Sequence, residues 1–233
     1  GVELPICLPK TAWPPTSTIF DTRGGSIENF PVYLIIGQLM FGLFNEATTS
    51  ALGSMLAAAP LIKKVYIPKY IFPLEKVGFA MVNCLFSFIA LAIVMIVTGA
   101  PLHPTALLGL YPFLTLSVFS LGIGLMLAAA TVFFRDIMHL WGVFTTALMY
   151  FSAVFYDPAQ MTDQVFWGVT VSMSKLIAYN PVYWYISGFR TAVLDGELLS
   201  WENVWLCGAG ALIALILGLL VFRRQQDKFV LHI

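Results

Sequence analysis

Charge is what this sequence has least of. Its 12 Lys and Arg and 12 Asp and Glu make up 10% of 233 residues, against roughly a quarter in an ordinary soluble domain. A soluble globular chain is thereby excluded, and a net charge of zero excludes a strongly basic nucleic-acid binder. Cysteine is nearly as scarce: Cys7, Cys84 and Cys207 are an odd number with no CxxC pair, so no thiolate metal motif is present. Cys84 and Cys207 lie in apolar runs and read as small buried hydrophobes. Cys7 lies in a Pro-rich polar segment, where a free or a cross-linked thiol both fit. His103, His139 and His232 stand alone, without the neighbours a metal site needs. No Gly is followed by Lys anywhere, which excludes the phosphate loop G-x-x-x-x-G-K-[ST]. No catalytic residue, metal site or cofactor site is expected in this chain.

What is there is apolar. Hydrophobic residues are 59% of the chain and aromatics 15%, with a mean hydropathy of +0.87. A bilayer core of about 30 Å needs about 20 helical residues at about 1.5 Å each. Five segments qualify: residues 31–59, 77–98, 106–134, 138–156 and 203–222. The expected fold is all-α and polytopic, with residues 31–233 forming one transmembrane domain and no internal repeat. Because the first residue is Gly, a segment ahead of it is expected.

The cations fall on alternate loops, which sets the orientation. If the loop "PLIKKVYIPKYIFPLE" is cytoplasmic, the inside holds Lys63, Lys64, Lys69, Lys76, Arg135, Arg223, Arg224 and Lys228, eight of twelve basic residues. Residues 1–30 then form an extracytoplasmic loop and residues 223–233 a cytoplasmic tail. The turn "GAPLHPTA" has no Lys or Arg and fits the outside. Residues 157–200 are different: "LIAYNPVYWYISGF" is too short to span and is broken at Asn180-Pro181, since proline disfavours helix for its predecessor. Two short helices dipping into the outer leaflet are expected there, with Tyr183 and Trp184 near headgroup depth; a surface pair of amphipathic helices is the alternative.

One ionisable residue lies well inside a span, Glu46 in "LFNEATTSALGSM". A carboxylate at mid-bilayer costs about 2.5–3.5 kcal/mol on insertion scales, so Asn45 and Glu46 are expected to line a polar passage, unless Glu46 sits among the inner headgroups. Ala47, Ala51, Ser54 and Ala58 form a small-residue stripe suited to close helix packing. The segment 138–156 is rich in rings, and Tyr150, Phe151, Phe155 and Tyr156 are candidates to stack on sugar rings along that passage.

Three motifs in order, the loop "PLIKKVYIPKYIFPLE", "VFFRDI" between the third and fourth segments, and "YNPVYWYISGFR" outside, give a resemblance. The chain resembles the membrane subunits of type-2 ABC exporters, in the branch that exports O-antigen, capsule and teichoic-acid polysaccharides, over about residues 30–230. That resemblance implies six spans, five of them visible here, with re-entrant helices before the last. It implies a second copy of the chain, two separate ATP-binding cassette subunits that carry ATP and Mg, a lipid-linked polysaccharide, and the bacterial cytoplasmic (inner) membrane. It further implies that Lys63, Lys64, Tyr66, Ile67, Lys69 and Tyr70 form a coupling helix docking on the ATPase, with Arg135 and Asp136 as a second contact. The lysines also suit anionic headgroups. Arg190 is left with two roles, meeting a lipid-linked pyrophosphate or sugar, or pairing with Asp195 or Glu197. An exporter of drugs or lipids is the alternative within the superfamily. An ion-coupled secondary transporter is the alternative outside it, although that mechanism usually needs several intramembrane ionisable groups.

Overall fold

The computed structural model describes residues 30–62, 64, 68–100, 103–156, 164–166, 169–171 and 177–226. Their helices run in the order α1 (Phe30–Ala57), α2 (Ala59–Ile62), α3 (Ile71–Thr98), a 3-10 turn (Pro104–Gly109), α4 (Leu110–Phe133), α5 (Ile137–Phe151), α6 (Pro181–Arg190) and α7 (Trp201–Gln225). Four helical stretches are long and apolar enough to cross a membrane, beginning at Phe30, Ile71, Pro104 and Trp201. In hydrocarbon every backbone N–H and C=O must be paired within the segment, which leaves helix as the default for such runs. Their Ser and Thr hydroxyls obey the same rule by donating to the carbonyl one turn back: Thr48 to Phe44, Ser117 to Phe113, Ser120 to Leu116 and Thr131 to Leu127, all at 2.7–2.9 Å.

The fifth expected span, 138–156, is shorter than the sequence implies. Its helix α5 has 15 residues, about 22 Å, and the chain turns out of it at Ala153, whose φ is 49°. The second span starts earlier than 77: α3 begins at Ile71, so the last part of the lysine loop is helix. A third departure lies before the last span. The first of the two short helices expected in 157–200 is instead a hairpin, β1 (Gln164–Phe166) antiparallel to β2 (Val169–Val171), with Val165 opposite Thr170. The β-branched Val165, Val169, Thr170 and Val171 favour extended backbone. The second half does form a helix. Asn180 caps α6, its Oδ1 accepting from the Val182 N–H at 3.0 Å, with Pro181 at the first helical position. A π turn, Thr191–Asp195, follows and ends at Gly196 with φ 67°.

α1 is the central helix, packed on α3, α4, α5 and α6. The small-residue stripe explains how: Ala47, Ala51 and Ser54 are buried, and Ala51 lies where a Cβ on Gly124 would meet it at 2.8 Å. The most extensive pairing is α4 with α7. There Gly122 and Gly218 let backbone touch backbone, since a Cβ on either would run into the main chain of the other helix. Toward the far end of the bundle, Phe88 stacks on Phe189 at 5.4 Å and meets Phe113 edge-on at 5.3 Å. Tyr185 of α6 is fully buried, so α6 reaches into the bundle rather than lying on its surface. A separate cluster of Met55, Leu125, Ala129, Val132 and Phe222 joins the ends of α1, α4 and α7.

Candidate transport path and basic face

That terminal cluster fixes one side of the bundle. The end of α1, the start of α3, the end of α4 and the end of α7 meet there, and Lys69 Nζ donates to the Gln226 carbonyl at 2.5 Å. Lys64, Arg135, Asp136, Arg223 and Arg224 are exposed around it, as is Tyr70, which precedes α3. Lys76 is half-buried and meets Glu75 at 3.4 Å. The cations that the sequence assigns to one side, apart from Lys63 and Lys228 outside the described residues, thus gather at one end. Lys63, Tyr66 and Ile67 lie outside the described residues. Lys69 is half-buried and its amine closes the last turn of α7, at the negative end of the helix dipole.

Across the membrane-depth region, α1 carries two unlike faces. At 3.6 residues per turn, Gln38, Gly42, Asn45, Glu46 and Thr49 fall within about a third of the helix circumference. Gln38, Asn45 and Thr49 are exposed and Glu46 is half-buried. Glu46 turns toward α3, where Asn83 Nδ2 donates to its Oε1 at 2.6 Å. These two groups line an open cavity of about 350 Å³ with Gln38, Gly42, Cys84 and Ser87. Asn83 and Ser87 escaped the sequence reading, although an Asn inside the run "FAMVNCLFSFIA" is a signal of the same kind as Glu46.

The opposite face of α1 is aromatic. Phe44 lies 6.0 Å from Phe119 and 6.3 Å from Trp141, and Trp141 Nε1 donates to Thr48 Oγ1 at 3.2 Å. Of α5 only Thr145 is buried; a wholly apolar gap of about 370 Å³ separates it from α4, lined by Ile123, Met126, Phe144 and Leu148 among others. The ring-rich end of α5 forms its own group. Tyr150 and Phe155 are exposed with rings 6.1 Å apart, Tyr156 Oη donates to the Tyr150 carbonyl at 2.5 Å, and Tyr33 Oη donates to the Tyr156 carbonyl. Phe151 is exposed beside them. No direct contact joins Asn45 and Glu46 to this aromatic group among the described residues; they occupy different faces.

Asn180 and Arg190, the two ends of α6, both hold the point where the chain leaves α5. Asn180 Nδ2 donates to the Phe151 carbonyl at 3.1 Å and to Ser152 Oγ at 2.9 Å. Arg190 is buried. Its Nη1 donates to the Ala153 carbonyl at 3.0 Å, and its Nη2 to the carbonyls of Val154 at 3.0 Å and Tyr33 at 3.3 Å. The guanidinium carbon sits 3.5 Å from the centre of the Tyr33 ring, a cation–π contact. Gly37 leaves room for it, since a Cβ there would strike Nη2. Tyr183 is half-buried, and Trp184 Nε1 donates to the Ala178 carbonyl at 2.6 Å. Tyr185 and Tyr111 make comparable links into α7, donating to the Cys207 and Val204 carbonyls.

The basic end, the membrane-depth polar arc and the clamped helix α6 stand beside a clear kinship. Three relatives match most of the chain. The O-antigen export system permease protein RfbA of Klebsiella pneumoniae is 23% identical over 205 residues, 87% of this chain and 75% of the relative. RfbA of Myxococcus xanthus is 23% identical over 206 residues, 88% and 76% of the two chains. The capsule polysaccharide export inner-membrane protein CtrC of Neisseria meningitidis serogroup A is 22% identical over 210 residues, 88% and 75%. The family model of the ABC-2 type transporter matches residues 15–194. With its several bilayer-length helices, this chain is a multi-pass membrane protein and belongs to the ABC-2 type transporter family.

Proposed function

We propose that this chain is the channel-forming subunit of an ATP-driven exporter of polysaccharide, of the O-antigen, capsule or teichoic-acid class. The observation that carries this reading is the match, over more than four-fifths of the chain, to permeases named for O-antigen and capsule export. The cargo is a lipid-linked polymer moved outward across the bacterial inner membrane through a passage between two copies of the chain. ATP and Mg belong to two separate ATPase subunits, and this subunit hydrolyses nothing itself.

The geometry supports a division of labour. Lys64, Tyr70, Arg135 and Asp136, exposed at one end, are available to an ATPase partner on the cytoplasmic side. The half-buried Lys69 instead ties the coupling loop to α7. Movement of that loop is therefore passed to the last span as well as to α1 and α3. On the opposite side, Tyr150, Phe155 and Tyr156 offer ring faces on which sugars stack without being held by charge.

The test is to delete the gene in its native host and measure surface polysaccharide, and to purify the full-length protein in mild detergent with whatever it retains. Loss of the polymer from the surface, together with a phosphate-loop ATPase recovered at one-to-one ratio, supports the reading. Normal surface polysaccharide, or a protein that emerges folded and alone, overturns it.

A further inference from the structure

Four polar side chains, those of Gln38, Glu46, Asn83 and Ser87, open into the cavity between α1 and α3, whose wall is otherwise mostly apolar. Glu46 and Asn83 lie near the middle of their 28-residue helices, at the depth where a carboxylate and an amide are costliest to expose to hydrocarbon. Around them α3 presents Val82, Phe86 and Ile89 outward, as a lipid-facing helix should. The polar groups are confined to the cavity and to the adjoining arc of α1.

Resting on the exporter reading, we propose that this cavity is a sugar-hydroxyl binding station, where Glu46, Asn83, Gln38 and Ser87 exchange hydrogen bonds with the passing polymer. The donor and acceptor set matches that ligand class. A carboxylate accepts several hydroxyl donors, the Asn and Gln amides both donate and accept, and a Ser hydroxyl does either. Asn83 holds Glu46 at 2.6 Å and Ser87 Oγ donates to the Asn83 carbonyl at 3.1 Å, so the groups are positioned before a ligand arrives. Among the described residues no cation and no ring lines the cavity. A phosphate therefore finds no positive partner there, and stacking is replaced by hydrogen bonding. Gly42 adds access: a Cβ built on it meets nothing within 4 Å, so the backbone wall is open to a bulky ring. The gap beside α5 offers no comparable set of polar groups at its wall.

The test uses the full-length permease with its ATPase, in cells that make the polymer and in matched cells blocked in its synthesis. Ser87→Cys and Ile89→Cys are labelled with the neutral hydrophilic reagent hydroxyethyl methanethiosulfonate, subtracting the reaction of the parent protein with its native cysteines. Expected is labelling at Ser87→Cys at least ten-fold faster than at the lipid-facing Ile89→Cys, slowed at least five-fold while polymer is being exported. Equal rates at the two positions, or fast labelling indifferent to polymer, overturns the proposal. In parallel, Glu46→Gln should lower the export rate two- to three-fold and Glu46→Leu with Asn83→Leu at least ten-fold at unchanged membrane level. Abolished export in Glu46→Gln would indicate proton coupling and overturn the proposal, as would normal export by the double variant. Should the double variant not accumulate, the labelling decides alone. Surface polysaccharide that survives deletion of the gene condemns the exporter reading itself, whereas permease-dependent export without protection at Ser87→Cys condemns only the station.

Discussion

At the scale of the residue, Arg190 carries the clearest lesson. From the sequence it is the one cation between the Asn180-Pro181 break and the last span, and substrate phosphate or a nearby acid are its natural partners. The fold brings it to backbone carbonyls, because Ala153 turns the chain with φ 49° and aims the last carbonyls beyond α5 at the guanidinium. Those partners lie 36 and 37 positions away in sequence, and backbone groups carry no residue-type signal. Arg190→Ala leaves several acceptors unpaired, at about 1–3 kcal/mol each; a loss of at least about 2 kcal/mol, seen as a lower melting temperature in detergent, is expected. Arg190→Lys should recover less than half of it, since an amine lacks the planar fork. Asp195 gives a pH prediction. Partial burial, and next the charge of Glu197, raise its pKa above the usual carboxylate range. Ionised Asp195 is therefore a cost to the folded state at neutral pH, and stability from this group rises as pH falls through the native pKa. Asp195→Asn should melt higher than wild type at pH 7, and the gap should close as pH falls toward 4.

At the scale of the element, helix type was legible and helix ends were not. Apolar runs of bilayer length must pair their own backbone, so the long helices follow from composition. The start of α3 at Ile71 was hidden by lysines that read as loop, and the β1–β2 hairpin lies where the sequence reads as a short helix dipping into the outer leaflet. The Gly122–Gly218 crossing was hidden as well, because the chain carries 18 glycines and only packing says which of them touch. Gly122→Ala and Gly218→Ala each force α4 and α7 apart, costing about 1–3 kcal/mol by overpacking. Gly142→Ala on α5 meets open space and should not destabilise, since alanine is favoured over glycine in a helix by about 1 kcal/mol. Size-exclusion profiles and melting temperatures of the three variants in detergent check the contrast.

At the scale of the whole molecule, the exporter proposal assigns the basic end to contact with an ATPase partner. Arg135→Ala should insert and accumulate as wild type while uncoupling, with ATP hydrolysis retained and export lowered at least ten-fold, measured in proteoliposomes and in cells. Normal export would remove Arg135 from the coupling contact. Lys69→Ala should act differently, since it removes the cap on α7, worth about 0.3–1 kcal/mol. Slightly lower stability is expected there, with faster hydrogen exchange confined to the last turn of α7.

The sequence by itself determined the membrane class, the bilayer-length helices, the segregation of cations, the break at Asn180-Pro181 and the family resemblance. Each of these rests on local composition, on the cost of leaving backbone or charge in hydrocarbon, or on a motif that can be read along the chain. Only the tertiary structure decided which groups meet. It joined Glu46 to Asn83 across 37 positions, Lys69 to Gln226 across 157, and Arg190 to the carbonyls beyond α5. It also separated Glu46 from the rings of Tyr150 and Phe155 by putting them on different faces. Hydropathy states that a segment is buried in the membrane. It does not state the rotation of a helix about its axis, which close packing of small residues and the pairing of a few polar atoms decide.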